Sequence, residues 1–196
     1  HYWLWKNYLN KLSDDDWIGF CQYRKYWSLS EDQSNKLQLK NLKDHTLSAI
    51  PNKLKDYDVI LGKPFFINQR RTMKFLKKGL RLIISNPKFL FDEKSRNIKF
   101  HFDLMHGRNN LSKAIQLLNN KNKFHFEKFV NTEVSFNPHN MFICRSKKLL
   151  TKYYEDIFLW LKSCENLFGF ENLQGYGMTR IYGFLAERFM SYWFKK

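Results

Sequence analysis

The chain has 196 residues, 43% of them hydrophobic, which is enough to bury the core of a single domain over residues 1–196. Lysine and arginine number 34 against 18 acidic residues, and the formal net charge of +16 predicts a phosphate-bearing partner such as nucleic acid, a nucleotide-sugar or an anionic lipid. The three widely spaced cysteines exclude the disulfide-rich class and favour a cytoplasmic location, and no apolar run is long enough to span a membrane.

The first half of the chain alternates short apolar runs with longer polar or periodic stretches, which is typical of an α/β fold. Tyr23, Arg24 and Lys25 follow the first apolar run and are too polar to continue a buried strand. They are predicted to leave the strand and enter a loop. The elements predicted in this half are a helix over 1–12, strands over 17–21 and 58–61, and a basic helix over 71–84.

The second half is predicted to be mainly helical. Ser146 has the side chain and position of a helix cap, and Asn110 is predicted to cap a shorter helix. The elements predicted here are a helix over 111–118, a strand over 140–144, a long helix after residue 146, a loop over 169–177 and a last helix over about 178–194.

The flank of the last helix carries the residues of most chemical interest. Arg180 and Glu187 fall on one side of it, two turns or about 10 Å apart, with Gly183 between them. Glycine inside a helix costs about 1 kcal/mol relative to alanine, so Gly183 predicts either a bound ligand or a closely packed neighbouring helix.

Two acidic clusters and one histidine pair resemble metal-binding patterns but do not fit them well. Residues 14–16 and 56–58 precede their strands, whereas ligand-binding carboxylates of open α/β sheets follow them, so both are predicted to be turn residues. His101 and His106 stand about 140° apart around a helix, which does not favour a zinc site. No metal ligand is therefore predicted from the residues.

The ordered set of segments resembles the domain of unknown function 4422 family, found in capsular and exopolysaccharide glycosyltransferases and including galactofuranosyltransferase-like enzymes. The resemblance covers nearly the whole chain in collinear order. The segments that carry it are Tyr2–Asn7, Trp17–Tyr26, Tyr57–Leu61, His106, Asn140–Ile143 and Arg180 with Gly183–Arg188.

The resemblance implies a GT-A-like, Rossmann-like glycosyltransferase domain with a helical C-terminal half. It also implies that the family's N-terminal nucleotide-binding strand and helix are missing from residues 1–196. The implied activity is transfer of a sugar, by an inverting mechanism, from a nucleotide donor such as a UDP-sugar to a growing cell-surface polysaccharide.

The resemblance assigns the donor diphosphate to Gln22, Tyr23, Arg24 and Lys25. Many GT-A enzymes hold a metal at the corresponding strand end, and here guanidinium and ammonium groups would neutralise the phosphates instead. The segment departs from the family pattern, with Gln22 in place of histidine and Lys25 in place of a second arginine. Because Gln22 cannot carry a proton, no acid–base role transfers to it. A requirement for Mn²⁺ or Mg²⁺ stays open.

The resemblance also implies that His106, Asn140, Arg180 and Gly183 bind the sugar or the acceptor. Glu187 is the candidate catalytic base, because an inverting transferase needs a base near the attacking hydroxyl. The competing interpretation is a structural ion pair between Glu187 and Arg180, Arg188 or a loop lysine.

The implied partners are a nucleotide-sugar donor and a lipid-linked glycan acceptor, with no nucleic acid. The aromatic and lysine residues of the last eight positions also match peripheral docking on the inner face of an anionic membrane. Two alternatives stay open from the sequence. One is a non-catalytic module that binds nucleic acid or anionic lipid, and the other is an inactive relative of the transferases.

Overall fold

The computed structural model describes residues 1–28, 42–69, 80–171 and 173–196. The chain divides into two compact units, each built from segments distant in sequence. Unit 1 comprises His1–Gly62 and Met141–Thr151, and unit 2 comprises Lys63–Asn140 and Lys152–Lys196. The single domain over residues 1–196 stays a prediction.

The described residues form a mixed α/β structure whose longer helices lie in the second half of the chain. In chain order the elements are α1 (Tyr2–Asn7), β1 (Ile18–Gly19), α2 (Leu42–His45), β2 (Val59–Leu61), β3 (Phe65–Phe66), α3 (Leu80–Ser85), α4 (Lys88–Phe91), α5 (Ile98–His106), α6 (Asn110–Gln116), α7 (Asn120–Thr132), β4 (Ser135–Phe136), β5 (Phe142–Cys144), α8 (Lys147–Phe168), α9 (Tyr176–Thr179) and α10 (Ile181–Trp193). Short 3-10 turns cover Leu9–Lys11 and Asn52–Leu54. The predicted α/β class with a helical C-terminal half is confirmed.

The sheet of unit 1 has the strand order β1-β5-β2. Both outer strands pair antiparallel with β5, with Gly19 and Ile60 each opposite Ile143. β1 and β2 therefore run in the same direction, and their carboxyl ends share one edge of the sheet. Phe20 continues β1 at this edge by donating its backbone N–H to the Phe142 carbonyl at 3.0 Å.

The predicted strands are present but shorter than expected, and the first helix is shorter too. α1 ends at Asn7, and a 3-10 turn that buries Leu9 follows in place of a continuous helix to residue 12. Lys147 holds this turn within unit 1, because its Nζ donates to the Asn10 and Leu12 carbonyls at 3.2 and 2.9 Å. Of the predicted helix over 71–84, only residues from 80 onward lie within the described part, and these are helical.

The core of unit 2 is formed by aromatic side chains from three helices. Phe126 of α7, Trp160 of α8 and Phe189 of α10 are all buried, and their ring centroids lie 5.0–5.7 Å apart. The Trp160 indole donates to the Ala114 carbonyl at 2.7 Å, which satisfies the polar atom of a buried ring. The apolar stripe predicted for the last helix is confirmed, since Ile181, Leu185, Arg188, Phe189 and Tyr192 are all buried.

Side-chain caps define several helix starts in the second half. Asn97 Oδ1 accepts from the Phe100 N–H at 2.9 Å, and the predicted cap Ser146 accepts from the Leu149 N–H at 3.2 Å. The predicted cap Asn110 is wrong. Asn109 occupies the cap position of α6 in a left-handed conformation without a side-chain cap bond, and Asn110 donates to the His106 carbonyl instead.

The predicted last helix is two helices. α9 ends at Thr179, and Arg180 has non-helical dihedral angles (φ −113°, ψ 19°) before α10 begins at Ile181. Gly177 lies within α9 against α5, where a Cβ would overlap the Met105 carbonyl oxygen. This close approach requires glycine at position 177, and α9 begins at Tyr176, inside the stretch predicted to be loop.

Candidate functional site

One face of α10 anchors the segment Asn137–Asn140 through three residues spaced four apart. The Ser191 hydroxyl accepts from the Asn137 N–H at 2.7 Å, and Glu187 Oε1 accepts from the His139 N–H at 2.9 Å. The Gly183 carbonyl accepts from the Asn140 side-chain amide at 3.1 Å. Residues one helical turn apart lie on one face, so a single helix face holds the whole segment.

The anchored segment has an unusual backbone. His139 and Asn140 have φ values of 77° and 52°, so two successive non-glycine residues adopt the left-handed conformation. This conformation is disfavoured for L-residues and persists where surrounding bonds require it. Here the hydrogen bonds from both residues to α10 supply that requirement.

Glu187 is the carboxylate at the centre of this arrangement. Its Oε2 accepts from Arg188 Nη1 at 2.7 Å, while Oε1 holds the His139 N–H. Burial raises the pKa of Glu187 above its ordinary value, although Arg188, the His139 N–H and Arg180 all oppose the shift. The predicted ion pair with a nearby arginine is present, and each oxygen retains a lone pair for a further donor.

Arg188 is buried in an aromatic enclosure. Its guanidinium carbon lies 4.0 Å from the Phe136 ring centroid and 5.5 Å from that of Phe102, so the cation faces two rings. Its Nη2 lies 3.4 Å from His101 Nδ1, and a guanidinium only donates, so Nδ1 is the acceptor in this contact. Burial lowers the pKa of Arg188 to about 10, with Glu187 opposing the shift.

His106 is a buried residue at the end of α5. Its ring stacks on that of Phe184, with centroids 4.0 Å apart, and its Nδ1 lies 3.2 Å from the Gly177 carbonyl oxygen. Because a carbonyl only accepts, Nδ1 carries the proton in this bond. The bond joins α5 to α9, so His106 has a structural role here, and its predicted sugar contact stays a prediction.

Gly183 lies on the exposed side of α10. No described atom outside the helix backbone lies within 4 Å of the position that a Cβ would occupy. The alternative of a closely packed neighbouring helix is therefore wrong for the described part of the chain. Among the described residues, none fills the space beside Gly183, one turn from Glu187.

Arg180 lies just before α10 and not on it, because the helix begins at the next residue. Its Nη1 donates to the Tyr176 hydroxyl at 2.7 Å, and the guanidinium carbon lies 5.2 Å from the Tyr176 ring centroid. Arg180 nonetheless lowers the pKa of Glu187 electrostatically. Glu187, Arg180, Gly183, Asn140 and His106 all belong to unit 2.

The predicted diphosphate-binding residues form an exposed turn in unit 1. Gln22 and Lys25 exchange backbone hydrogen bonds of 3.2 and 3.1 Å, which places Tyr23 and Arg24 at the tip. Tyr23 is 81% exposed, and the Arg24 guanidinium carbon lies 4.9 Å from its ring centroid. The turn follows the carboxyl end of β1, as predicted. Its role in donor binding stays a prediction.

The acidic residues before β1 make a local turn. Asp16 Oδ2 accepts from the Ser13 N–H at 2.8 Å, and the Ser13 hydroxyl accepts from the Asp15 N–H at 3.3 Å. On α5, Asp103 pairs with Lys99 at 2.8 Å and accepts from the Asn109 N–H. Within the described ranges, no three His, Cys, Asp or Glu side chains are grouped to hold a metal ion.

Two residues of this site, His139 and Ser191, were not predicted from the sequence, and Arg188 was predicted only as one of several possible ion-pair partners of Glu187. His139 acts through its backbone N–H, Ser191 through its hydroxyl, and the Arg188 guanidinium through burial beside Glu187. A signal for Arg188 exists, because a charged residue within the apolar stripe of a helix needs a buried partner. A backbone donor such as that of His139 has no signature in sequence.

Comparisons with known proteins give a structural neighbour and a family. No curated protein matches this chain. The solved apo structure of the WbbM bifunctional glycosyltransferase is similar over 99% of this chain, with 19% sequence identity and a TM-score of 0.68. The chain spans 32% of that protein's length. This similarity confirms the GT-A-like fold predicted from the resemblance.

Crossing a membrane requires a helix that is both long and apolar. None of the described helices combines these two properties. The model of the domain of unknown function DUF4422 matches residues 1–196, and the chain therefore belongs to that family.

Proposed function

We propose that this chain is part of a glycosyltransferase that transfers a sugar from a uridine diphosphate donor to a growing cell-surface polysaccharide. The observation that carries the proposal is the Glu187 carboxylate, which is held by the His139 N–H and Arg188 beside the open space at Gly183. The similarity to a glycosyltransferase fold supports the same reaction class.

Glu187 is proposed as the base that accepts the proton of the attacking acceptor hydroxyl. Burial raises its pKa, and a carboxylate with a raised pKa is the stronger base. The two hydrogen bonds fix the orientation of the carboxylate, so the free lone pairs keep a constant direction. Asn140, Arg180 and His106 are proposed to contact the sugars from the same unit.

Arg24 and Lys25 are proposed to neutralise the diphosphate leaving group, with Gln22 and Tyr23 beside them. All four residues are exposed in a turn after β1, so phosphate oxygens have access to them. A guanidinium stabilises developing phosphate charge by charge-assisted hydrogen bonds.

The proposal includes a lipid-linked acceptor and peripheral contact of Lys195 and Lys196 with the inner face of an anionic membrane. The aromatic part of the predicted docking segment does not fit this contact, because Phe189, Tyr192 and Trp193 are buried.

Replacing Glu187 with Gln tests the catalytic role in the full-length protein. Gln keeps a hydrogen-bond acceptor for the His139 N–H but cannot take a proton, so we expect loss of sugar transfer with nucleotide binding retained. Glu171→Gln, at an exposed position, is the matched control. Thermal melts of both variants separate lost chemistry from lost folding. Unchanged turnover in Glu187→Gln would refute the assignment.

Calorimetric titration with uridine diphosphate, with and without Mn²⁺, tests the donor site. We expect Arg24→Ala to abolish binding and Arg108→Ala, an exposed arginine of unit 2, to preserve it. Binding that does not depend on Mn²⁺ supports basic residues acting in place of a metal. If uridine diphosphate does not bind but RNA binds with steep salt dependence, the non-catalytic module replaces the transferase.

A further inference from the structure

A basic groove lies in unit 2 between α7 and the end of α10, and nothing in the proposed transfer reaction uses it. It has a volume of about 700 Å³. The α7 residues that line it run from Lys121 to Thr132 along one face, a length of about 16 Å. The opposite side comprises Tyr192, Lys195 and Lys196.

The lining of the groove concentrates positive charge, and the nearby Asp156 offsets part of it at Lys196. Lys121, Lys128, Lys195 and Lys196 all line it, and no carboxylate is among its lining residues in the described part of the chain. Burial lowers the pKa of Lys196, Asp156 raises it, and the charge of Lys121 lowers it. Lys121 and Lys196 are thus close enough for their charges to repel, which an anion between them would relieve.

Helix stability accounts for only part of this charge. Lys195 and Lys196 follow the carboxyl end of α10, where the helix dipole favours cations. Lys121 instead lies in the first turn of α7, where the dipole disfavours a cation. A lysine at position 121 therefore does not stabilise α7 through the helix dipole.

The aromatic wall of the groove is held in place by hydrogen bonds. The Tyr192 hydroxyl and Lys196 Nζ both donate to Asn122 Oδ1, at 3.2 and 2.9 Å, and Asn122 is fully buried. The rings of Tyr192 and Phe129 lie 5.9 Å apart. The ammonium group of Lys196 is thereby oriented before any ligand arrives, which reduces the entropy lost on binding.

We propose that this groove binds phosphate groups, with Lys121 and Lys128 on one side and Lys195 and Lys196 on the other. Its length and four ammonium groups suit a ligand that carries more than one phosphate charge. The phosphate belongs either to the head groups of anionic phospholipids or to a soluble phosphorylated compound. Neither Glu187 nor the turn at Arg24 contributes a residue to the lining of the groove, so the proposal does not depend on the proposed transfer. The phospholipid alternative rests on the proposed membrane contact and names the residues that would make it.

The test uses two probes, inorganic pyrophosphate measured by calorimetry and phosphatidylglycerol vesicles measured by sedimentation, with phosphatidylcholine vesicles as the neutral reference. The groove variant is Lys121→Gln with Lys128→Gln. The matched control is Lys113→Gln with Lys152→Gln, two lysines of unit 2 outside the groove whose replacement changes the net charge equally. Thermal melts verify that all proteins are folded.

We expect the groove variant to bind at least one probe about 25-fold more weakly, because each lysine near an anionic surface contributes roughly fivefold to affinity. The control variant should bind like the unmodified protein. An effect on vesicles alone identifies lipid head groups as the source, and an effect on pyrophosphate alone identifies a soluble ligand. The proposal is overturned if the groove variant and the control variant bind equally well. It is also overturned if only Arg24→Ala removes pyrophosphate binding, or if neither probe binds the unmodified protein.

Discussion

Burial and hydrogen bonding shift the pKa of the Glu187 carboxylate in opposite directions. Burial raises its pKa, whereas Arg188 and the His139 N–H lower it, and burial dominates. The folded state therefore holds the Glu187 proton at higher pH than the unfolded chain does. The stability contributed by this proton is complete below the unfolded pKa and is lost as the pH rises through the folded pKa.

This shift predicts the pH dependence of sugar transfer. The proposed base must be ionised, so we expect kcat/KM to fall on the acidic side, with an inflection above the ordinary pKa of a glutamate. The measurement is a pH–rate profile of the full-length protein. The profile of Glu171→Gln should be unchanged, and an inflection at or below the ordinary glutamate pKa contradicts the prediction.

Arg188 is predicted to stabilise the fold chiefly by neutralising the buried negative charge of Glu187. Arg188→Met leaves a buried carboxylate without its cation, which costs about 3–5 kcal/mol in the free energy of unfolding. Adding Glu187→Gln removes the unpaired negative charge. The double variant should therefore lose less free energy of unfolding than the two single variants lose in sum. Urea denaturation measures both effects.

The control for Arg188 is Arg108→Met, an exposed substitution that should change the free energy of unfolding by no more than about 0.5 kcal/mol. If the free-energy changes of the two single variants add up to that of the double variant, the two side chains are not energetically coupled. Such a result would leave the aromatic rings, not Glu187, as the main partners of the guanidinium.

At the scale of the element, α10 combines packing on one side with anchoring on another. Leu185 and Phe189 are buried in the core of unit 2, while Gly183, Glu187 and Ser191 hold the Asn137–Asn140 segment. α10 therefore holds His139 and Asn140 in the left-handed conformation, which histidine and asparagine adopt more readily than most other non-glycine residues.

Alanine substitutions at Gly177 in α9 and Gly183 in α10 are predicted to change the stability in opposite directions. Gly183→Ala places a methyl group in open space within a helix, so we expect a gain of roughly 1 kcal/mol in stability. Gly177→Ala forces a methyl group against the Met105 carbonyl, so we expect a loss of about 1–3 kcal/mol. Thermal and urea unfolding measure the difference.

The same pair tests whether a ligand approaches α10. If substrate occupies the space beside Gly183, Gly183→Ala should raise KM although it stabilises the protein. An unchanged KM in this variant would place the substrate elsewhere. Equal stability of the two alanine variants would contradict the packing difference between the sites.

At the scale of the whole molecule, the formal charge of +16 predicts a salt effect on stability. Net charge of this size destabilises a compact state by self-repulsion, and salt screens that repulsion. Raising NaCl from about 10 mM to about 150 mM shortens the screening length from roughly 30 Å to roughly 8 Å, so the urea midpoint should rise. A midpoint that falls or stays constant contradicts this expectation.

Much of the architecture was predictable because it depends on local patterns. Apolar periodicity identified the stripe of α10, short apolar runs identified β1, β2 and β5, and Ser146 identified the start of α8. The errors concern boundaries. Arg180 interrupts the last helix, and Asn109 takes the cap position in place of Asn110, whose side-chain amide donates to the His106 carbonyl instead.

The sequence by itself determined the charge and the α/β class, and it named Glu187, Gly183 and Asn140 as candidates, since each depends on composition or on neighbours along the chain. Only the tertiary structure decided what those residues contact. The His139 N–H reaches Glu187, and Lys121 faces Lys196, across long separations in sequence. Such contacts follow from how helices pack, and periodicity along one helix carries no information about the side chains that another element brings to it.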